Sequence, residues 1–417
     1  MIDENKTKYL DFQMAYSAAN FGYKNQFFNN ELKKQIDTLP QIASEYLHKD
    51  KIILSKIIND SIEKFTNNKG RVHFNVGGAQ AIDDSLKLVA INKGTKRVFA
   101  FEGSYHGRTI GASAITSSFR YRSKFGNFSE RAYFIPFPYL YRSPYPNDPQ
   151  KAEDYYVYQF ERLFESEYQS IVDFREKECE YVAFYIEPIQ GTGGYIIPPK
   201  NYFKRIKKIL DEFNILLVVD EIQMGFFRTG KMWAIEHFGV EPDILVFGKS
   251  LTNGLNPLSG LWAKEELIKP DVFPPGSTHS TFSNNPLGMH LGVTTFEWIK
   301  QKDYEKSVPA KGKYLLEKLK KLQQKYKIIG DVDGLGLALR IEITYEDGKT
   351  PNKKLTDKIK DFGLSGKIKY NNQNYGLILD VGGYYKNVFT LAPCLDISYE
   401  EIDMFIVLFQ KALDECI

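Results

Sequence analysis

Along the chain, short unbroken apolar runs alternate with stretches in which apolar residues recur every three or four positions. The first pattern fits strands buried on both faces, the second one face of a helix. Residues 28–65 read as helical, with Leu39, Ile42 and Leu47 on the apolar spacing. A strand over 72–76 leads into Gly77, Gly78 and Ala79. A helix follows, with Ala81, Ile82, Leu86 and Val89 apolar. Asp83 and Asp84 are expected in its first turn, where the macrodipole favours acids. Arg97–Phe101 reads as a short strand before a turn bearing Gly103 and Gly107. Tyr181–Ile186 is an apolar run ending at Glu187 and Pro188, and Tyr202–Glu212 reads as helix. The runs 215–219 and Ile244–Phe247 end in Asp220-Glu221 and Gly248-Lys249.

This alternation predicts an α/β fold with a mostly parallel sheet. Ligands in such folds sit beyond the carboxyl ends of the strands, and here those ends carry Glu187, Asp220 and Lys249. From about residue 290 the pattern shifts to long charged helices over 303–326 and 352–362, with strands over 336–343 and 377–381. The expected organisation is an N-terminal segment, 1–40, packing with a smaller α+β C-terminal domain, 296–417, and a large domain, 41–295, between them.

Composition narrows the class. A chain of 417 residues has a prior of two or three domains. With 43% hydrophobic and 26% charged residues it is neither disordered nor collagen-like. Lys and Arg number 55 against 52 Asp and Glu, a net charge of +3 that makes no electrostatic case for nucleic acid. No apolar run is long enough for a membrane helix, and the start MIDENKTKYL has no secretory pattern, so a cytoplasmic chain is expected. Cys179, Cys394 and Cys416 are scattered and form neither a disulfide framework nor a metal spacing. Aromatics stand out at 14%, concentrated in PFPYLYRSPYP, GFFRTGKMW and GGYYKNVF.

The candidate chemistry lies at the strand ends. A lysine closing a buried strand, as in PDILVFGKSLTNG, loses solvation, and a neutral amine is the nucleophile for a Schiff base. Taken alone, Lys249 reads more readily as a surface lysine. Asp220 closes ILLVV, and a buried carboxylate calls for a cationic partner such as a protonated pyridine nitrogen. A helix cap is its alternative; a metal is disfavoured, since no His or Cys cluster lies nearby. Gln223 can donate to a phenolate oxygen or simply meet water. Gly77-Gly78-Ala79 lets backbone N–H groups approach a phosphate, though a tight turn is equally served. Neither the dinucleotide fingerprint nor the P-loop spacing is present. Tyr105 can cover a cofactor ring or belong to the core.

The order of these pieces is more informative than any one of them. Together with GGAQAIDDSLKL, FEGSYHGRT, YIEPIQGTGG, VVDEIQMGFFRTGKMWAIEHFGVEPDILVFGKSLTNG and STFSNNP, the chain resembles the class III pyridoxal-phosphate-dependent aminotransferases of fold type I. Weaker matches reach both ends. The resemblance implies pyridoxal 5'-phosphate as cofactor and an amino group passed between an amine or ω-amino acid and a carbonyl acceptor. It implies Lys249 as the Schiff-base lysine and proton carrier, and Asp220 as the pyridine-nitrogen partner. It implies Gln223 at the ring's phenolic oxygen, Gly78 and Ala79 at the phosphate, and Tyr105 on the ring. His106 and Glu187 match supporting positions. Thr281 matches a threonine that reaches the phosphate of a neighbouring subunit, which implies a homodimer at least. Racemases, a mutase and a decarboxylase share these motifs, so that alternative stays open.

Four departures from the family pattern matter. The usual Ser-Gly-Ser/Thr loop is Gly77-Gly78-Ala79, as in lysine 6-aminotransferases. Thr390 stands where many relatives carry an arginine that clamps a carboxylate, and Thr192 where they carry the glutamate that masks it. An ω-amine reaction is therefore expected ahead of the usual glutamate geometry. Arg108 remains a candidate for a distal substrate carboxylate, with Arg142 and Arg228 as lesser ones. Finally, the chain begins almost at the hairpin MIDENKTKYLDF, so a more open mouth to the site is expected.

Overall fold

The computed structural model describes residues 1–94, 97–123, 125, 132–168 and 171–417. Its largest sheet has seven strands. Their order across the sheet is Gly70–Asn75, Ser259–Lys264, Ile244–Phe247, Leu216–Asp220, Tyr181–Ile186, Arg97–Phe101 and Ala132–Ile135. Ser259–Lys264 is antiparallel to both neighbours, and the other six run one way. The strands Tyr181–Ile186, Leu216–Asp220 and Ile244–Phe247 are buried at every position. That is why they are continuous apolar runs rather than alternating ones: helices cover both faces.

The helices follow their apolar spacing. Tyr202–Glu212 buries Tyr202, Phe203, Ile206 and Leu210, one stripe along its length. The stretch 28–65 is two helices, Gln26–Thr38 and Lys49–Thr66. Leu39 is extended where it precedes Pro40, as sterics before proline demand, and this ends the first helix. The helix after the double glycine is Gly78–Lys93, which has no acid in its first turn. Asp83 and Asp84 lie one turn deeper, so the macrodipole argument fails for them. They hold neighbours instead: Asp83 accepts from the Ala112 N–H at 2.8 Å, and buried Asp84 lies 3.2 Å from His73 Nε2.

Beyond the helix Pro286–Lys300, a long helix, Tyr304–Lys325, leads into a four-stranded antiparallel sheet. Its strands are Ile329–Leu335, Ala338–Ile343, Val388–Leu391 and Asp380–Gly382, in that order. A three-stranded sheet joins the chain ends, since Lys8–Asp11 pairs in parallel with Gln373–Ile378. The apolar run 377–381 is thus two strands in two different sheets. The closing helix, Tyr399–Cys416, begins with a capping box: Glu401 N–H donates to Ser398 Oγ at 3.1 Å, and Ser398 N–H to Glu401 Oε2 at 2.9 Å. No helix among the described residues is long and apolar enough to cross a membrane.

Candidate active site

The six co-directional strands bring their carboxyl ends to one edge of the sheet, and a cavity of about 520 Å³ opens there. Gly78, Ala79, Tyr105, His106, Arg108, Glu187, Asp220, Gln223 and Lys249 all line it. Residues up to 171 positions apart (249 − 78) thus converge because each ends a strand or starts the turn after one.

At one end of the cavity the helix Gly78–Lys93 begins. Gly77 offers no side-chain cap, so the first-turn amides are left for a ligand. A helix N-terminus of this kind suits an anion. The loop over it depends on Gly107, whose φ is +135° and whose added Cβ would lie 2.5 Å from the Ala79 Cβ. Any side chain there would push the loop off the helix start. Gly107 also lines the cavity, and so do Thr109, Ile189, Ile222 and Met224. Sequence reasoning alone passes over these five. The glycine of the motif YHGRT is the available signal; the apolar residues have none apart from their neighbours.

The other polar groups form a connected set. His106 Nδ1 lies 2.9 Å from Asp220 Oδ2, and the Ile222 N–H donates to Asp220 Oδ1 at 3.0 Å. Burial opposes a charge on His106, but the hydrogen bond and charge of Asp220 win and raise its pKa. Glu187 accepts from the N–H groups of Tyr105 and Gly191, each at 3.1 Å, so it fixes two loops of the cavity. Burial still pushes Glu187 up to about 7, helped by the charge of Asp220. Gln223 Nε2 donates to the Tyr195 hydroxyl at 3.0 Å.

Lys249 follows Gly248 and has a left-handed backbone, φ 46°. Such strain in a residue with a side chain persists only where the surroundings enforce it, and it clusters at functional sites. Burial lowers the Lys249 pKa to about 8, against the raising charges of Asp220, Glu187 and Asp380. The amine therefore holds its proton less tightly than an ordinary lysine, though it is still mainly protonated at neutral pH, and it faces carboxylates.

The remaining candidates fall elsewhere. Thr281 is exposed in the turn before Pro286–Lys300 and does not line its own chain's cavity. Arg108 stands at the cavity rim with its guanidinium 4.4 Å from the centre of the Tyr121 ring. Arg142 does not reach the cavity: its Nε donates to buried Glu342 at 2.8 Å. Arg228 is buried and donates to the carbonyls of Leu337 and Pro393 at 3.1 and 2.6 Å. Neither is available as a clamp in this arrangement. The aromatic run around Tyr139 and Tyr141 packs near Arg142 and Glu342 rather than in the cavity. Thr390 Oγ1 donates to Asp380 Oδ2 at 2.9 Å, and the Thr192 carbonyl accepts from the Gly383 N–H at 3.0 Å.

The whole arrangement fits one kind of group. An uncapped helix start suits a phosphate, a buried carboxylate suits a protonated ring nitrogen, and a lysine of lowered pKa suits a carbonyl carbon. The sequence profile described as aminotransferase class-III matches residues 1–413. The chain belongs to the class-III aminotransferase family. Its enzymes depend on pyridoxal phosphate, and by family this chain is a pyridoxal-phosphate-dependent aminotransferase. Among individual relatives, it is 31% identical to the leucine/methionine racemase of Thermococcus litoralis, over 99% of this chain and 88% of that one. It is 30% identical to a probable 4-aminobutyrate aminotransferase of Bacillus subtilis, over 95% and 87% of the two chains. Its fold matches that of an (S)-enantioselective omega-transaminase from Thermomicrobium roseum, with a TM-score of 0.87 at 24% identity, over 100% of this chain and 90% of that one.

Proposed function

We propose that this cavity transfers an amino group from an amine or ω-amino acid to a keto acid or aldehyde, with Lys249 as the reactive amine. The observation that carries the reading is the meeting of Lys249, Asp220, Gln223, Tyr105 and the Gly78–Ala79 helix start in one cavity. Pyridoxal phosphate, when bound, supplies an electron sink next to the substrate's amine-bearing carbon. The residues of the chain do the rest. The helix start with Gly78 and Ala79 would hold the phosphate. Asp220, kept in place by His106 and the Ile222 N–H, would keep the ring nitrogen protonated. Tyr105 would cover the ring, and Gln223 would bind the phenolic oxygen. Lys249 would attach the cofactor, give way to the substrate amine and then carry a proton to and from the substrate carbon. Glu187 would position the Tyr105 loop. Arg108, at the rim, would meet a distal carboxylate.

We further propose that two copies pair about a two-fold axis. Leu47, Ile110, Phe119 and Phe282 are exposed at 72%, 72%, 76% and 59%, large apolar side chains of the kind a partner would cover. Thr281, next to Phe282, would then reach the phosphate in the partner's cavity. The scattered cysteines support a cytoplasmic site of action.

A second reading, racemisation, draws support from the racemase relative. One experiment tests both. A donor amine should bleach the cofactor's visible band, and a keto acid should restore it. If the band persists while the substrate's α-hydrogen exchanges with deuterium, racemisation replaces transamination. Lys249→Ala should lose the lysine-dependent band; an unchanged spectrum would remove Lys249 from the site.

A further inference from the structure

The loop that follows the strand Tyr181–Ile186 turns sharply beside the cavity. Gln190 and Ile196 close it, each N–H donating to the other's carbonyl, at 3.1 and 3.3 Å. Between them Gly194 and Tyr195 both take positive φ, 117° and 51°. Glycine adopts that conformation freely; tyrosine does not, and such strain persists only where the surroundings enforce it. The turn carries the Tyr195 side chain inward. Tyr195 is 2% exposed and packs in one apolar cluster with Ile189 and Met224, two residues of the cavity lining.

Phenylalanine would fill that space and bring no hydroxyl to satisfy. The hydroxyl has a specific use: it accepts from Gln223 Nε2 at 3.0 Å. Burial raises its pKa, so it keeps its proton and stays a neutral acceptor. The other end of the same amide is also held. An added Cβ on Gly191 would lie 2.3 Å from Gln223 Oε1, so Oε1 sits against the loop at a point where only glycine leaves room for it. Both ends of the Gln223 amide are thus fixed by one loop, and Gln223 lines the cavity. An amide nitrogen carries two hydrogens. With one bound to Tyr195 and the oxygen turned to Gly191, the second hydrogen is the group left for a ligand.

We propose that Tyr195 is a positioning residue: it holds Gln223 so that an N–H, rather than the carbonyl oxygen, meets the cofactor's phenolic oxygen. A donor there draws off negative charge that otherwise holds the proton shared between that oxygen and the Lys249 nitrogen. Tyr195 thereby sets how readily that proton is lost, without touching the cofactor. The inference rests on the reading that Gln223 binds the phenolic oxygen.

The test is a pH titration of the holoenzyme's visible band in the wild type, Tyr195→Phe, Gln223→Leu and the double variant. Tyr195→Phe keeps the ring and its packing and removes only the hydroxyl. Gln223→Leu loses the donor outright and should move the midpoint upward by about one pH unit, as expected for a hydrogen bond to a charged group. Tyr195→Phe frees the amide but leaves it in place. It should move the midpoint upward by about half as much and weaken cofactor binding about threefold. The double variant should match Gln223→Leu alone, because Tyr195 acts only through Gln223. If Gln223→Leu shifts the midpoint and Tyr195→Phe does not, Tyr195 is only core and the proposal is overturned. It is overturned equally if the two shifts add in the double variant. A midpoint unmoved by Gln223→Leu means that Gln223 is not at the phenolic oxygen, and the reading beneath the proposal then fails with it.

Discussion

Lys249 is under two opposing influences. Burial disfavours its charge, and three carboxylates favour it; burial wins, and the pKa settles at about 8 rather than the usual 10.5. The attacking form is the neutral amine. The rate at which cofactor-free protein captures pyridoxal phosphate should therefore rise as pH increases through about 8 and level off above it. Rapid-mixing absorbance measures this directly, and a midpoint near that of an ordinary lysine would contradict the burial argument. Most of the residues that line the cavity are legible in the amino-acid sequence, because each closes a strand or opens the turn after one. That placement shows as a short apolar run ending in a polar residue. Asp380 is not legible in this way. It matters only because the fold carries a strand from the far end of the chain to the neighbourhood of Lys249, and no local pattern records that. Arg142 and Arg228 are overvalued by sequence for the same reason: their partners, Glu342 and the carbonyls of Leu337 and Pro393, are distant along the chain.

Elements are legible in proportion to how completely their environment is written into local spacing. The fully buried strands match their apolar runs with small shifts at the ends. Ser259–Lys264 escapes the pattern, since SGLWAK opens with a serine and a glycine that mask its run. Over 377–381 the apolar run is real, but the chain changes partners at Leu379, which apolarity cannot reveal. Packing can also reverse a local preference, and Gly312 offers a test. It lies inside the helix Tyr304–Lys325, where propensity alone favours alanine by about 1 kcal/mol. Yet a Cβ there would lie 2.0 Å from the carbonyl oxygen of Gly336 and 2.5 Å from its carbon. That is backbone in a turn, with no side chain to swing away. Gly312→Ala should destabilise the protein by about 1–3 kcal/mol, the usual cost of overpacking, read as a lower denaturant midpoint at unchanged slope. A raised midpoint would mean that the turn yields easily.

At the scale of the molecule, several large apolar side chains next in sequence to residues of the site are left exposed. Ile110 directly follows Thr109 of the cavity lining, Phe119 lies two residues from Tyr121, on which Arg108 stacks, and Phe282 adjoins Thr281. Where exposed large apolar side chains form a contiguous patch, the surface is one built to be covered. On the proposed pairing, the occupant would be a second copy, seated so that each chain completes the other's phosphate site. The native protein should then sediment as a dimer, and Phe282→Glu should shift it toward monomer. Monomers should bind pyridoxal phosphate about ten- to hundredfold more weakly, the value of one lost hydrogen bond to a charged group. Thr281→Val separates the two effects. It should weaken cofactor binding to a similar degree while the dimer persists, because it removes a hydroxyl and keeps the shape. A Phe282→Glu monomer with full cofactor affinity would show that each chain builds its phosphate site alone, and the helix start at Gly78 and Ala79 would then carry that anion without help.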